Sequence, residues 1–137
     1  MVLVYTDSIE NEEAIARILH QQSAELTASP PIKDTFSICA IENEQWLGGL
    51  TASLFGNTLH LSMLGVAKEF RGKKIGSRLI ERLEEIAHQH NCLYMTVNTQ
   101  DYQAKSFYEG HGFSVFAHLA DTPFTGTTKF YLKKKLV

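Results

Sequence analysis

Leu64-Gly65-Val66-Ala67-Lys68-Glu69-Phe70-Arg71-Gly72-Lys73-Lys74-Ile75-Gly76-Ser77-Arg78 is the stretch on which the reading of this chain turns. Before it, Thr58 to Ala67 reads as a strand. After it, the apolar positions 75, 79, 80, 83, 86 and 87 keep to one face of a helix that reaches about His90. The stretch is therefore a strand-to-helix junction. Residues 68–78 hold five bases and one acid in a chain whose formal net charge is −2. A helix start offers unpaired N–H groups and the positive end of the helix dipole, which together favour an anion. Gly72 and Gly76 remove side chains where an anion must approach the backbone. The pattern suits a diphosphate better than a single charge. By themselves the same residues also describe a solvated basic loop.

Working outward, residues 33–41 alternate polar and apolar, and Trp46 to Phe55 is the returning strand of a hairpin. With Thr58 to Ala67 they make a three-strand meander. Toward the N-terminus, residues 2–5 are a short apolar run that predicts a strand. Asp7 and Glu10 have capping-box spacing, and Ile15, Ile18, Leu19 and Leu26 predict a helix near 9–25. Ser29-Pro30-Pro31 breaks the chain. Toward the C-terminus, Leu93 to Val97 is apolar at nearly every position, as a strand covered on both faces would be. Ala104, Phe107, Tyr108 and His111 are spaced i, i+3, i+4, i+7 on a short helix stopped at Gly112, and strands follow at 113–119 and 127–136. The order βαβββαβαββ belongs to the α/β (α+β) class: a mixed, mostly antiparallel sheet of about seven strands with helices packed on it. A single domain over residues 1–137 is expected. Lys133, Lys134 and Lys135 on the last strand read as protection of a sheet edge.

Composition narrows the function. The near-balanced charge and 10% aromatic content argue against disorder and against a basic nucleic-acid coat. No run approaches the ~18 apolar residues that span a bilayer, and no basic segment opens the chain, so a cytoplasmic protein that binds neither membrane nor nucleic acid is expected. Cys39 and Cys92 lie far apart within apolar runs and read as buried thiols. Gly-x-x-x-x-Gly-Lys-Ser/Thr, Gly-x-Gly-x-x-Gly, His-Glu-x-x-His, Cys-x-x-Cys and Gly-x-Ser-x-Gly do not occur.

Residues 64–77 resemble the acetyl-CoA-binding segment of the GNAT N-acetyltransferases, whose pattern Arg/Gln-x-x-Gly-x-Gly/Ala is entered from a strand and leads into a helix. A second signature of that family, Ala-x-x-Phe-Tyr…Gly-Phe, is similar to Ala104-Lys105-Ser106-Phe107-Tyr108-Glu109-Gly110-His111-Gly112-Phe113. The resemblance implies the GNAT fold, with the fourth strand bulged and splayed from the fifth. It implies that the main chain at Leu64, Gly65 and Val66 bonds the pantetheine arm of acetyl-CoA. The amides of Arg71, Gly72, Lys73, Lys74, Ile75, Gly76 and Ser77 would cradle the pyrophosphate, and Asn98, on the cleft side after the fifth strand, would bind the pantetheine amides or the acceptor, with an ordinary turn duty as the alternative. Tyr108 matches the tyrosine that protonates the departing CoA thiolate. The implied reaction is direct acetyl transfer in a ternary complex, with acetyl-CoA as co-substrate, a backbone N–H near Val66 meeting the oxyanion, and no metal. The acceptor is an amine of a small molecule or a peptide, walled by residues 20–36, 98–102 and 120–128. A homodimer is possible, and a catalytically silent acyl-CoA-binding module of the same fold is the alternative.

Several residues depart from the family pattern. Lys74 stands at the first motif glycine and is read as already within the helix's first turn. Thr58 to Val66 holds no Asp or Glu, so no strand carboxylate is available to deprotonate the amine. Strict alternation puts His60, Ser62 and Leu64 on one face. His60 precedes Val66 by about six residues, roughly 20 Å at ~3.3 Å per residue, and is read as structural, while Ser62 could hold a water. The base stays open. Asp101 suits either a turn or cap or a contact to the pantetheine amides or the acceptor, and His111, between two glycines, is read as helping to end its helix.

Overall fold

The computed structural model describes residues 1–26 and 32–137, and the chain divides into two units, 1–31 and 32–137. The first unit carries α1 (Ser8–Leu26). The Asp7 carboxylate accepts the N–H groups of Ile9 at 2.9 Å and Glu10 at 3.5 Å, so the helix starts where the capping spacing predicts. Residues 2–5 are not a strand: no strand among the described residues pairs with them, and Val2, Leu3 and Val4 are exposed. An apolar run makes a strand only where a neighbour takes its backbone bonds. The expected break at Ser29-Pro30-Pro31 lies outside the described residues.

The second unit runs β1 (Lys33–Glu42), β2 (Gln45–Phe55), β3 (Thr58–Val66), a 3-10 turn (Lys68–Phe70), α2 (Ile75–Gln89), β4 (Tyr94–Thr99), α3 (Tyr102–Gly110), β5 (Ser114–Ala120) and β6 (Thr128–Lys135). They form a mostly antiparallel six-stranded sheet in the order β1-β2-β3-β4-β6-β5, one strand fewer than expected, with β3 and β4 the parallel pair. Alternate residues of β2 (Leu50, Ala52, Leu54) and of β4 (Met95, Val97) face one side of the sheet. There they meet the apolar stripe of α2, Leu79, Ile80, Leu83, Ile86 and Ala87. Each such side chain contributes about 1.5–3 kcal/mol by leaving water. No helix among the described residues is long and apolar enough to cross a membrane.

Two expectations fail for reasons of long-range pairing. β6 is not an edge: it lies between β4 and β5, and the edges are β1 and β5. Lys134 instead reaches α2, its Nζ 2.8 Å from the Glu84 carboxylate. Cys92 is buried as expected, and burial pushes its thiol up, but Cys39 is exposed on the outer face of β1.

The site depends on a change of behaviour halfway along β3. Thr58, Leu59, His60 and Leu61 pair in parallel with Tyr94, Met95, Thr96 and Val97, and there the pairing ends. On the other side β2 stays paired to Val66, but the register slips: Ala52 opposes Leu61 while Thr51 opposes Met63, so Ser62 is the bulged residue. The bulge shifts the alternation by one. Leu64 therefore joins Leu59 and Leu61 against the core, and His60 shares the opposite face with Met63, opposite Ser53 and Thr51. The strict alternation that grouped His60, Ser62 and Leu64 is overturned.

Candidate active site

Beyond Leu61, β3 and β4 diverge, and β4 continues to pair with β6 through Asn98 and Thr99. Between Ser62–Val66 on one side and Asn98–Thr99 on the other is an opening whose edges are backbone. A strand edge without a neighbour can take an extended ligand as an added strand. Leu64 packs on the core and Gly65 is exposed, with nothing within 4 Å of where its Cβ would lie. Gly48, which the sequence reading did not single out, seats this segment. A Cβ at Gly48 would lie 2.8 Å from the Gly65 carbonyl oxygen and 3.1 Å from Val66 Cα, a backbone approach only glycine permits. The Ala67 N–H then bonds the Leu47 carbonyl at 2.9 Å, closing the end of the hairpin.

The turn from β3 to α2 is built from the quoted motif. Arg71 Nε donates to the Val66 carbonyl at 3.2 Å, tying the turn back to the strand end. Gly72 has φ +81° and Lys74 has φ +63°. Lys74 is the N-cap of α2 in the left-handed region, not a residue of its first turn, which corrects the expectation. An L-residue there carries a cost of roughly 1–2 kcal/mol that a glycine avoids. Arg78 N–H bonds the Lys74 carbonyl at 3.1 Å, the first bond of the helix ladder. The N–H groups of Ile75, Gly76 and Ser77 precede that bond, in the turn where an α-helix has no internal acceptors. Ile75 anchors the turn in the core. Lys73 sits over the Phe70 ring, its Nζ 5.5 Å from the centroid. With Arg78 and Arg82 it lines a cavity of about 500 Å³ between β1 and α2.

The second signature folds beside the first. Asp101 caps α3, accepting the Gln103 N–H at 2.8 Å. α3 packs on β4, and Tyr108 is the buried residue of that helix, its ring edge-on to Phe107 and to Phe113. Burial pushes the phenol up to about 12, so it stays protonated across the neutral range. Phe107 meets α2: a Cβ at Gly76 would lie 3.3 Å from Phe107 Cζ and 3.8 Å from Val66 Cγ2. Val66, Gly76 and Phe107 thus converge, joining the strand end, the helix start and the tyrosine's helix. His111 Nε2 and Ser77 Oγ share a 2.9 Å hydrogen bond across the same interface.

The strand end at Val66, the start of α2 at Gly76 and the helix bearing Tyr108 meet through Phe107, and Asn98 is exposed on β4 just beyond the last residue paired with β3. His60 is elsewhere: its Nδ1 is 2.8 Å from Thr96 Oγ1 across the paired part of the strands, and burial lowers its pKa. That hydrogen bond agrees with the structural reading.

Residues 5–113 match the model of the Acetyltransferase (GNAT) family. The chain is 36% identical over 96 residues to the blasticidin-S acetyltransferase of Streptomyces morookaense, covering 69% of this chain and 70% of that one. Its fold is similar to a crystal structure of an acetyltransferase from Bacillus cereus ATCC 14579, with TM-score 0.88 at 24% identity over 99% of this chain and 98% of that one. It is also similar to an aminoglycoside 6'-N-acetyltransferase crystallised with coenzyme A, with TM-score 0.69 at 14% identity over 100% of this chain and 98% of that one.

Proposed function

This chain belongs to the GNAT family of acetyltransferases and is an acyltransferase, and from that premise we propose that it moves an acetyl group from acetyl-CoA to a primary amine by direct attack in a ternary complex. The observation that carries the reading is the parting of β3 from β4 after Leu61, with the free amides of α2 and the buried Tyr108 beside it. The pantetheine arm lies along Leu64, Gly65 and Val66 as an added strand, near Asn98. The pyrophosphate sits on the amides of residues 71–77, with charge from Arg71, Lys73 and Lys74. Exposed ion pairs add only ~0–1 kcal/mol each, so the amides carry most of the orientation.

In the reaction the neutral amine attacks the thioester carbonyl, a backbone N–H near Val66 steadies the oxyanion, and the C–S bond breaks. Tyr108 gives its proton to the leaving sulfur, the amine loses one to water, and solvent returns a proton to the phenolate, so that the enzyme is restored. A phenol at about 12 is a reliable donor and a weak acid. A free thiol near 8.5 would take its proton only at a cost of about 5 kcal/mol, at ~1.4 kcal/mol per unit. The same burial raises the thiolate's own proton affinity and narrows that gap. The acceptor is an amine of a small molecule or a peptide. Its relative named for blasticidin S makes that compound the first acceptor to test. Residues 1–137 are proposed to act as one domain, supported by a family match that runs through both units.

The left-handed Lys74 at the phosphate turn supports a second reading, an acyl-CoA-binding module without turnover. Melting with excess acetyl-CoA, CoA and ATP tests the coenzyme site. A ligand at a hundred times its Kd adds about 2.7 kcal/mol of stability, a rise of several degrees. A shift with both CoA species and none with ATP is expected, and no shift from either CoA species overturns the site. Tyr108→Phe separates the readings: the enzyme loses most of its turnover and no more than the several-fold share of CoA affinity that a phenol–sulfur contact supplies, whereas unchanged turnover removes the acid.

A further inference from the structure

We propose that His111 is a positioning residue: through its hydrogen bond to Ser77 it locks the helix bearing Tyr108 onto the phosphate-binding turn, so that the phenol stands at a fixed reach from the coenzyme's sulfur. The inference rests on the reading of Tyr108 as the acid given above. It begins with what His111 does not do. α3 is ended by its backbone: Gly112 takes φ +91°, the His111 and Phe113 N–H groups bond the Tyr108 carbonyl at 3.0 and 3.1 Å, and the Gly112 N–H bonds the Glu109 carbonyl at 3.1 Å. His111 is the C-cap residue through its backbone N–H, as expected of it, and no part of that ending uses the imidazole.

The ring is instead committed to α2. It lies 4.9 Å from the Phe107 ring, one helical turn back, and its Nε2 is 2.9 Å from Ser77 Oγ. Phe107 fills the space a side chain at Gly76 would need. Two consecutive residues of the first turn of α2, Gly76 and Ser77, are thus held by Phe107 of α3 and by His111 at its C-cap, on either side of Tyr108 in the chain, and the Tyr108 carbonyl itself accepts from the His111 N–H. Ring contact alone tolerates sliding, because it is not directional. A hydrogen bond at 2.9 Å adds the direction that fixes the register of the two helices. Ser77 contributes its hydroxyl to this bond and keeps its backbone N–H for the phosphate. The latch therefore sets the distance between phosphate grip and acid without touching the grip.

That division gives a test independent of the acceptor. CoA and desulfo-CoA, which lacks the sulfur, are titrated calorimetrically at pH 8 against the full chain and its variants. In the unaltered protein CoA binds several-fold more tightly than desulfo-CoA, because the phenol meets the sulfur, and Tyr108→Phe abolishes that advantage. In His111→Leu the advantage falls at least threefold while desulfo-CoA affinity is unchanged; Ser77→Ala, on the phosphate turn itself, is read by the advantage alone, which falls by a like factor. The double variant is no worse than either single one, and His111→Gln, which can still bond Ser77, restores the advantage. If the advantage survives both single variants while Tyr108→Phe removes it, the latch is overturned and the acid stands. If desulfo-CoA affinity falls in step with CoA affinity in His111→Leu, the contact merely supports the turn and the latch is overturned. If Tyr108→Phe keeps the advantage, the acid assignment fails and the latch falls with it.

Discussion

The two halves of β3 are made of similar residues and do different things. Thr58 to Leu61 is paired on both sides, with Leu59 and Leu61 buried and His60 bonded to Thr96. After the bulge at Ser62, Met63 to Val66 is paired on the β2 side alone, with Ser62, Met63 and Gly65 exposed. One half closes the core, and the other leaves backbone open for a ligand. A single bulged residue separates them, and the loss of one neighbouring strand over five residues is enough to turn a structural strand into a candidate binding edge.

The contrast can be broken by substitution. Leu61→Ala in the paired half should destabilise the fold by about 2–5 kcal/mol, since it leaves a cavity at a site without solvent access. A denaturant titration showing under 1 kcal/mol would mean that the paired half is no more structural than the splayed one. Next in size is Tyr108, on the helix that packs against β4. Its phenol is raised from 10 to about 12, so the protein binds a proton there that the unfolded chain has released. The stabilisation is complete below pH 10 and falls as pH rises from 10 to 12, by on the order of 2–3 kcal/mol. Tyr108→Phe should remove that part of the alkaline fall in stability, and identical alkaline profiles would mean the phenol is solvated.

Lys74→Gly sharpens the comparison at the far end of the splayed half. Relief of the left-handed strain outweighs glycine's greater freedom in the unfolded chain, for a net gain of about 0.5–1 kcal/mol and a melting temperature a few degrees higher. A drop in stability would refute the strain, and a loss of CoA affinity would show that the ammonium holds a phosphate. Smallest is Met63→Ala. The side chain is 67% exposed, so stability should change by no more than about 0.5 kcal/mol. A larger loss measured by the same titration would show that the splayed half is covered in solution.

Much of the site could be read from the chain because its signals are local. The apolar stripe of α2 has a helical period, and the capping of α1 by Asp7 and of α3 by Asp101 uses residues two or three positions from the groups they bond. Tyr108 was placed on a short helix before Gly112 by spacing alone. Gly48 gave no such signal, because its constraint is an approach to Gly65 and Val66 across the sheet. Lys74 was misplaced because nothing in its neighbours states a φ angle. Cys39 was misplaced because an apolar run does not say which face of an edge strand is covered.

The sequence by itself determined the period of each element in the second unit, the strand-to-turn-to-helix junction at residues 64–77, and the short tyrosine-bearing helix before Gly112. These follow from side-chain spacing and turn chemistry, which act over a few residues. The tertiary structure alone decided that Ser62 is the bulge, that β4 leaves β3 after Leu61, that β6 lies inside the sheet with Lys134 on Glu84, and that His111 reaches Ser77. Each of these joins groups far apart along the chain, and local periodicity carries no record of which strand or helix a residue will meet.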